Sequence, residues 1–337
     1  MQGFVLFSPG DVRVSEVPEP ELGPGQVIVR PRAVGICGSD IHAYHGLQPS
    51  MHYPCVLGHE IAGEVVQVPP GIDRVKPGDH VVVDPSISCG QCPPCKRGRP
   101  NVCNDLKVLG VHVNGGFADY LAADVGRVYV IDKTIPFWYA AFAEPLSIGA
   151  QANARANTSP GDFVAIFGAG PIGIAAAIIA KTRGATTAVI DRIPQRLELA
   201  RQMGADMVIN FETEDPQEAI MRQTGGDGAA ISIEAVGNQA ALDGALDVVR
   251  RGGKVVVLGL APRDAGARAL AILKKELDVL GSRMSNSQFD AVTAMIGESE
   301  IDLAPVISHR VPFKDIAEAF ALVESGDPTV SKVVITF

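Results

Sequence analysis

Short apolar runs broken by proline and glycine fill the first third of the chain. Longer alternations of apolar run and amphipathic stretch fill the middle. Residues 1–30 read as short strands interrupted by Pro18, Pro20 and Pro24, with Val27-Ile28-Val29 as a compact β-type run. Ile61 to Val68 and His80 to Val83 continue this pattern between turns at Pro69-Pro70-Gly71 and Lys76-Pro77-Gly78-Asp79. Near residue 145 the pattern changes. Phe163 to Phe167 predicts a buried strand and Ile172 to Arg183 a helix. Ala188 to Ile190 is again a strand and Gln195 to Met203 again a helix. Met207 to Asn210, Ala230 to Ile233 and Lys254 to Leu258 are further apolar runs. Such alternation predicts a parallel α/β sheet with helices on both faces. Beyond about residue 285 the pattern is less regular, ending in a strand over Lys332 to Phe337. There is no internal repeat and no low-complexity segment.

Length and composition narrow the picture. At 337 residues the chain has room for two domains of roughly 150. Hydrophobic residues are 47% and charged residues 20%, enough apolar material for a buried core and too little charge for a disordered chain. A net charge of −9 opposes a nucleic-acid partner, which needs a basic face. Met1 to Gly10 shows no basic segment followed by an apolar one, so no secretory signal is read there. The longest apolar run, around Ile172 to Ala180, is far short of the roughly 20 residues that span a bilayer. A cytoplasmic protein without membrane partners is expected, and cysteines in a reducing compartment are more often metal ligands than disulfides.

The cysteines cluster. Cys89, Cys92 and Cys95 are spaced C-x-x-C-x-x-C, and Cys103 follows after seven intervening residues. Four thiolates from one short loop suit a closed tetrahedral zinc site, structural because no position is left for water. Gly90, Pro93-Pro94 and Gly98 are turn formers that let the chain wrap an ion. An iron–sulfur cluster is the main competing reading. A second constellation is Cys37, His59, Glu60 and Glu144; one thiolate, one imidazole and one or two carboxylates suit zinc with an open fourth position.

The middle of the chain carries a glycine signature. Gly168-Ala169-Gly170-Pro171-Ile172-Gly173 is a G-x-G-x-x-G between a predicted strand and a predicted helix, the context in which the motif binds a dinucleotide. Gly168 suits the tight turn, Gly170 close approach of a pyrophosphate, and Gly173 close packing of helix on strand. The following N-terminus offers orphan N–H groups and the positive end of the helix dipole. Asp191 ends the next strand, 18 residues after the last glycine, where an acid accepts from ribose hydroxyls and repels a 2′-phosphate. NAD is therefore expected over NADP, although Arg192 and Arg196 lie close enough to meet a phosphate.

Five stretches together, GICGSDIH at 35–42, GHEIAGEV at 58–65, CGQCPPCKRGRPNVC at 89–103, EPLSIGAQA at 144–152 and GAGPIG at 168–173, resemble the zinc-dependent medium-chain dehydrogenases. The resemblance spans essentially the whole chain. It is strongest to the polyol branch that includes sorbitol dehydrogenases, with L-threonine 3-dehydrogenases as cousins. It implies a Rossmann-type cofactor domain over 147–284 and a mostly β, GroES-like catalytic domain built from 1–146 and 285–337. It implies two zinc ions per chain, with Cys37 and His59 on the catalytic ion. Glu60 would be a third ligand or exchange with water, and Glu144 would bind the metal or hold its water. Ser39 and His42 match the family's proton-relay positions. The implied reaction is reversible oxidation of a secondary alcohol to a ketone, in a homodimer or homotetramer. The apolar stretches Lys254 to Leu260 and Leu277 to Leu280 are candidate sheet edges for pairing across subunits.

For the substrate, YPCVLGHE at 53–60, LGVHVNGGFADYL at 109–121 and GSRMSNSQF at 281–289 are similar to the bacterial L-galactonate 5-dehydrogenase type, which implies a polyol or sugar acid. Arg283 corresponds to a substrate-contacting arginine of the sorbitol enzymes. Cys55 departs from the family pattern, which has arginine there; if that arginine meets a substrate carboxylate, its loss favours a neutral polyol. An amino-alcohol dehydrogenase acting on L-threonine, and a non-enzymatic dinucleotide-binding protein of the same fold, are the other readings.

Overall fold

A computed structural model describes residues 1–260, 265–266, 268–298 and 301–337. The chain divides into two compact units, Met1–Glu144 with Ser285–Phe337, and Pro145–Met284.

The second unit is a six-stranded parallel sheet. Its strands are Phe163–Phe167, Thr186–Asp191, Met207–Asn210, Ala229–Glu234, Val249–Val257 and Asp278–Gly281. Numbered along the chain, they lie side by side as 3-2-1-4-5-6, the doubly wound order of dinucleotide-binding sheets. The apolar runs are continuous because both faces are covered. Val164 and Ile166 point into one core cluster with Ala176, Ala180 and Val189, whereas Ala165 and Phe167 point into the other with Ile190, Ile220 and Leu246. The expected helices appear as Pro171–Thr182 and Pro194–Gln202, each with proline in its first turn, where the missing N–H costs nothing. Of the two candidate edges, Lys254 to Val257 is interior, bonded on one side to Ala229–Glu234 and on the other to Asp278–Gly281. Asp278–Gly281 is the terminal strand of the sheet.

The first unit is mostly β. A seven-stranded sheet takes its strands from both ends of the sequence. Gln26–Gly35 lies between Glu60–Gln67 and the C-terminal strand Lys332–Thr336, which also pairs in parallel with Ile307–Pro312. Pro31, which lacks a donor, falls at the register shift opposite Gly63. Phe4, Phe117 and Phe320, drawn from the start, middle and end of the chain, pack ring to ring with centroids 4.9–6.4 Å apart. Each is buried, which stabilises the fold by roughly 1.5–3 kcal/mol per side chain. Residues 285–337 thus supply both a sheet strand and core to this unit. No helix among the described residues is long and apolar enough to cross a membrane.

Two glycines of the G-x-G-x-x-G turn separate packing from ligand space. A Cβ on Gly173 would overlap the Gly168 carbonyl oxygen, whereas one on Gly170 would meet nothing within 4 Å. Gly173→Ala is therefore expected to cost about 1–3 kcal/mol in urea unfolding. Gly170→Ala should stay within about 1 kcal/mol of the parent.

Candidate active site

Cys37 caps the N-terminus of helix Gly38–Tyr44, and its backbone N–H donates to Asp40 Oδ2 at 2.9 Å. Gly58, at φ +92°, turns the chain just before His59, and Glu60 opens the strand Glu60–Gln67. Donor atoms of Cys37, His59 and Glu60 then lie within 4.8 Å of one another. Glu60 Oε1 accepts from Lys332 Nζ at 2.6 Å, while Glu60 Oε2 is buried without a hydrogen-bond partner. A buried unpartnered carboxylate oxygen beside a thiol and an imidazole is the kind of acceptor a cation satisfies. Only glycine fits at position 35, because a Cβ there would overlap that oxygen.

The electrostatics of this pocket of the first unit are coupled. Burial alone would lower the pKa of His59, but the Asp40 carboxylate 3.6 Å from Nδ1, together with Cys37, raises it well above the ordinary imidazole value. Glu144, buried in the first turn of helix Ala143–Ala156, is pushed up to about 8. Burial is the main cause. His59 and Lys332 pull it down, and Glu60 and Asp84 push it further up. Lys332 would be lowered by burial, but the Glu60 charge and hydrogen bond, with Cys37 and Glu144, raise it.

Ser39 Oγ lies 3.4 Å from His59 Nε2, so the structure brings this relay position beside the cluster. His42 is half-buried in the same helix, about one turn further on. Arg283 is exposed and belongs to the second unit. Cys55 is buried, its thiol pushed up to about 12 by burial and by Asp40, and it donates to the Val113 carbonyl at 3.3 Å. Sequence reasoning missed Asp40 and Lys332. Asp40 had a local signal, standing three residues after Cys37 where a capping-box acid belongs. Lys332 had none, since 272 residues separate it from Glu60.

The four-cysteine loop closes on itself. Sγ separations are 3.4 Å for Cys92–Cys95, 3.7 Å for Cys92–Cys103 and 3.4 Å for Cys89–Cys103. A tetrahedron with 2.3 Å zinc–sulfur bonds has edges of about 3.8 Å, so the four sulfurs fit that ion. Backbone N–H groups of Cys89 and Asp105 donate to Cys103 Sγ, and that of Cys92 to Cys89 Sγ. Cys92 is lowered to about 6, chiefly by backbone N–H groups of Cys95 and Asn104, and favours the thiolate. Gly90 and Gly98, at φ +71° and +72°, make the left-handed turns of the wrap.

In the second unit Gly168, at φ +103°, turns the chain out of its strand, and Gly170 caps helix Pro171–Thr182. The Ile172 and Gly173 backbone follows in that first turn, whose N–H groups have no partner within the helix. Asp191 is held by three backbone donors, Ala169 N at 2.8 Å on Oδ2, with Arg192 N at 2.7 Å and Ile193 N at 3.0 Å on Oδ1. The carboxylate is thereby fixed beside the glycine turn, with about one of its four lone-pair sites left over. Arg192 is exposed and Arg196 half-buried on the segment that follows.

A two-unit chain with such a glycine turn, a four-cysteine loop and a Cys–His–Glu cluster defines a metal-dependent dehydrogenase. Residues 23–133 match the alcohol dehydrogenase GroES-like domain and residues 171–298 the zinc-binding dehydrogenase family. The L-galactonate-5-dehydrogenase of Escherichia coli K12 is 39% identical over 323 residues, covering 96% of this chain and 94% of that protein. An L-threonine 3-dehydrogenase of Thermococcus kodakarensis is 36% identical over 335 residues, covering 97% and 95%. An alcohol dehydrogenase of Escherichia coli CFT073, solved with NADH, superposes with TM-score 0.91 at 32% identity, covering 100% of this chain and 99% of that one. A zinc-binding dehydrogenase of Sinorhizobium meliloti 1021, solved with NADP, gives 0.92 at 31%, with the same coverage. The chain belongs to the zinc-dependent medium-chain dehydrogenase family, and its likeness is to the polyol branch.

The raised groups set a pH dependence for the chelator-treated protein. Glu144 titrates near 4.5 unfolded and near 8 folded, so its protonated form stabilises the fold below about 4.5 and that contribution is lost as pH rises through 8. The raised His59 acts in the same direction, from 6.5 upward. Thermal unfolding of metal-free protein from pH 5 to 9 should therefore show a falling midpoint. Glu144→Gln should flatten the portion between 4.5 and 8; an unchanged slope in that variant contradicts the assignment.

Proposed function

We propose that this chain is a zinc- and NAD-dependent dehydrogenase that reversibly oxidises a secondary alcohol of a polyol or sugar acid to a ketone. The observation that carries the reading is the Cys37–His59–Glu60 cluster with its unpartnered Glu60 Oε2. The likeness to an L-galactonate-5-dehydrogenase supports the substrate class. Asp191, fixed beside the glycine turn, supports NAD over NADP. Met1–Glu144 with Ser285–Phe337 is assigned as the catalytic unit, and Pro145–Met284 as the cofactor unit.

When bound, zinc supplies Lewis acidity that lowers the pKa of an alcohol, and the nicotinamide supplies a hydride acceptor. Cys37, His59 and Glu60 would hold the ion, with Glu144 as a fourth group or as the holder of its water. Asp40 orients the His59 ring, and Lys332 turns one Glu60 oxygen away so that the other faces the cluster. Ser39 takes the hydroxyl proton and His42 passes it to solvent, a proton-shuttle role that an imidazole can fill. Loss of the hydroxyl proton through this relay, and of the carbon-bound hydrogen as hydride to the bound dinucleotide, would convert the carbinol to a ketone. Cys89, Cys92, Cys95 and Cys103 would hold a second, structural zinc. Arg283 is assigned to the substrate, and Arg192 and Arg196 to the cofactor's adenosine end. A cytoplasmic homodimer or homotetramer is proposed, with the terminal strand Asp278–Gly281 as the edge for pairing across subunits.

The likeness to an L-threonine 3-dehydrogenase supports a second reading, an amino-alcohol substrate. A screen of polyols, aldonic acids and L-threonine, run with NAD and with NADP, decides between them. The expected result is NADH formation with a polyol or aldonic acid and slower turnover with NADP. Turnover confined to L-threonine would overturn the proposal. Cys37→Ala and Glu60→Ala should each lower kcat by on the order of 10²–10³ or more, the rate equivalent of several kcal/mol of Lewis-acid stabilisation, with the far-UV spectrum unchanged. Cys89→Ser should release one of two zinc ions per chain and lower the melting midpoint by at least the ~2–4 °C that 1 kcal/mol represents in a domain of this size.

A further inference from the structure

The order of strands in the second unit reverses between Phe163–Phe167 and Ala229–Glu234, neighbours that run parallel with Phe167 opposite Glu234. In an open parallel sheet the ligand crevice lies outside the carboxyl ends of the strands at that reversal. One wall is the glycine turn that begins at Gly168. The other is the turn Ala235–Gly237. The two walls touch, since a Cβ on Gly168 would stand 2.9 Å from Val236 Cγ2 and 3.3 Å from the Ala235 carbonyl oxygen.

The second wall is organised by one side chain. Glu234 is 2% exposed, and its Oε1 accepts both the Val236 N–H at 2.7 Å and the Gly237 N–H at 2.6 Å. Its backbone carbonyl accepts from Leu258 N and Gly259 N, each at 2.9 Å, so the loop after the next strand is fastened to the same residue. Gly259 closes tightly over it: a Cβ there would overlap the Gly237 nitrogen and stand 2.7 Å from Glu234 Oε2. Gly237, at φ +82°, lets the turn fold back onto the carboxylate. A buried carboxylate is expensive unless donors surround it, and charge-assisted bonds of this kind are roughly twice as strong as neutral ones. The two N–H groups are drawn inward, while the Ala235 carbonyl faces the glycine turn.

We propose that Glu234 is a positioning residue for the dinucleotide: by holding the Val236 and Gly237 N–H groups it fixes the wall of the crevice opposite the glycine turn. It touches no reacting atom. This rests on the glycine turn being the dinucleotide site, which the control below tests separately.

The test is NADH fluorescence titration of the purified zinc-loaded protein, together with steady-state kinetics and thermal melting. Glu234→Ala should weaken NADH binding by about tenfold or more and raise KM for the oxidised dinucleotide in parallel. Its kcat at saturating dinucleotide should stay within about threefold. Glu234→Gln keeps one acceptor oxygen and should recover most of the affinity. Should the alanine variant be insoluble, Glu234→Asp, whose carboxylate is one methylene short of the turn, should show the same loss against the glutamine variant. A lowered melting temperature with unchanged NADH affinity in the alanine or aspartate variant would overturn the proposal and leave Glu234 a purely structural residue. Failure of the parent protein to bind NADH or NADPH would instead sink the dinucleotide reading itself.

Discussion

Lys332 and Glu60 form a buried ion pair at 2.6 Å, and the arrangement of the Cys37–His59–Glu60 cluster depends on it. Both residues are essentially inaccessible, and Lys332 Nζ also donates to the Ile36 carbonyl at 2.9 Å, next to Cys37. Two charges taken out of water at such a site cost several kcal/mol each, and only close pairing with further hydrogen bonds offsets that. Removing the lysine would leave a buried carboxylate uncompensated, a defect of about 3–5 kcal/mol. The ammonium therefore does two things at once. It makes a buried Glu60 tolerable as an anion, and it occupies one oxygen so that the other stays available.

This pair also explains the division of the chain. The lysine stands on a strand from the last residues of the sequence, inside a sheet that also holds Ile307–Pro312 and five strands from the first 130 residues. The cation behind Glu60 is supplied by the C-terminal segment. The chain leaves this unit after Glu144, builds a complete parallel sheet, and returns at Ser285. The Phe4, Phe117 and Phe320 contact is the apolar counterpart of the same closure.

Asp40 and Asp191 share a design. Each carboxylate is fixed by backbone donors, Cys37 N for Asp40 and three N–H groups for Asp191, before it meets any ligand. A side chain already ordered in the free protein loses less entropy when it binds. The same logic applies to Glu60, ordered by Lys332.

The one-dimensional pattern determined what depends on near neighbours. Apolar runs flanked by turn residues set most strands of the second unit, and its helices Pro171–Thr182 and Pro194–Gln202, to within two residues, because both faces of a parallel sheet are buried; Val249–Val257 begins five residues before the run that marked it. Glycine and cysteine spacing marked the dinucleotide turn and the four-sulfur loop, since each is made by one short segment. The tertiary structure decided what depends on contacts between distant segments. It brought Lys332 to Glu60 and Asp40 to His59, and it made Lys254 to Val257 interior while leaving Asp278–Gly281 at the edge. It also placed the Glu234 turn opposite Gly168. No local propensity encodes these pairings: strand order and side-chain direction are set by the packing of the whole sheet, where burial and charge compensation are decided.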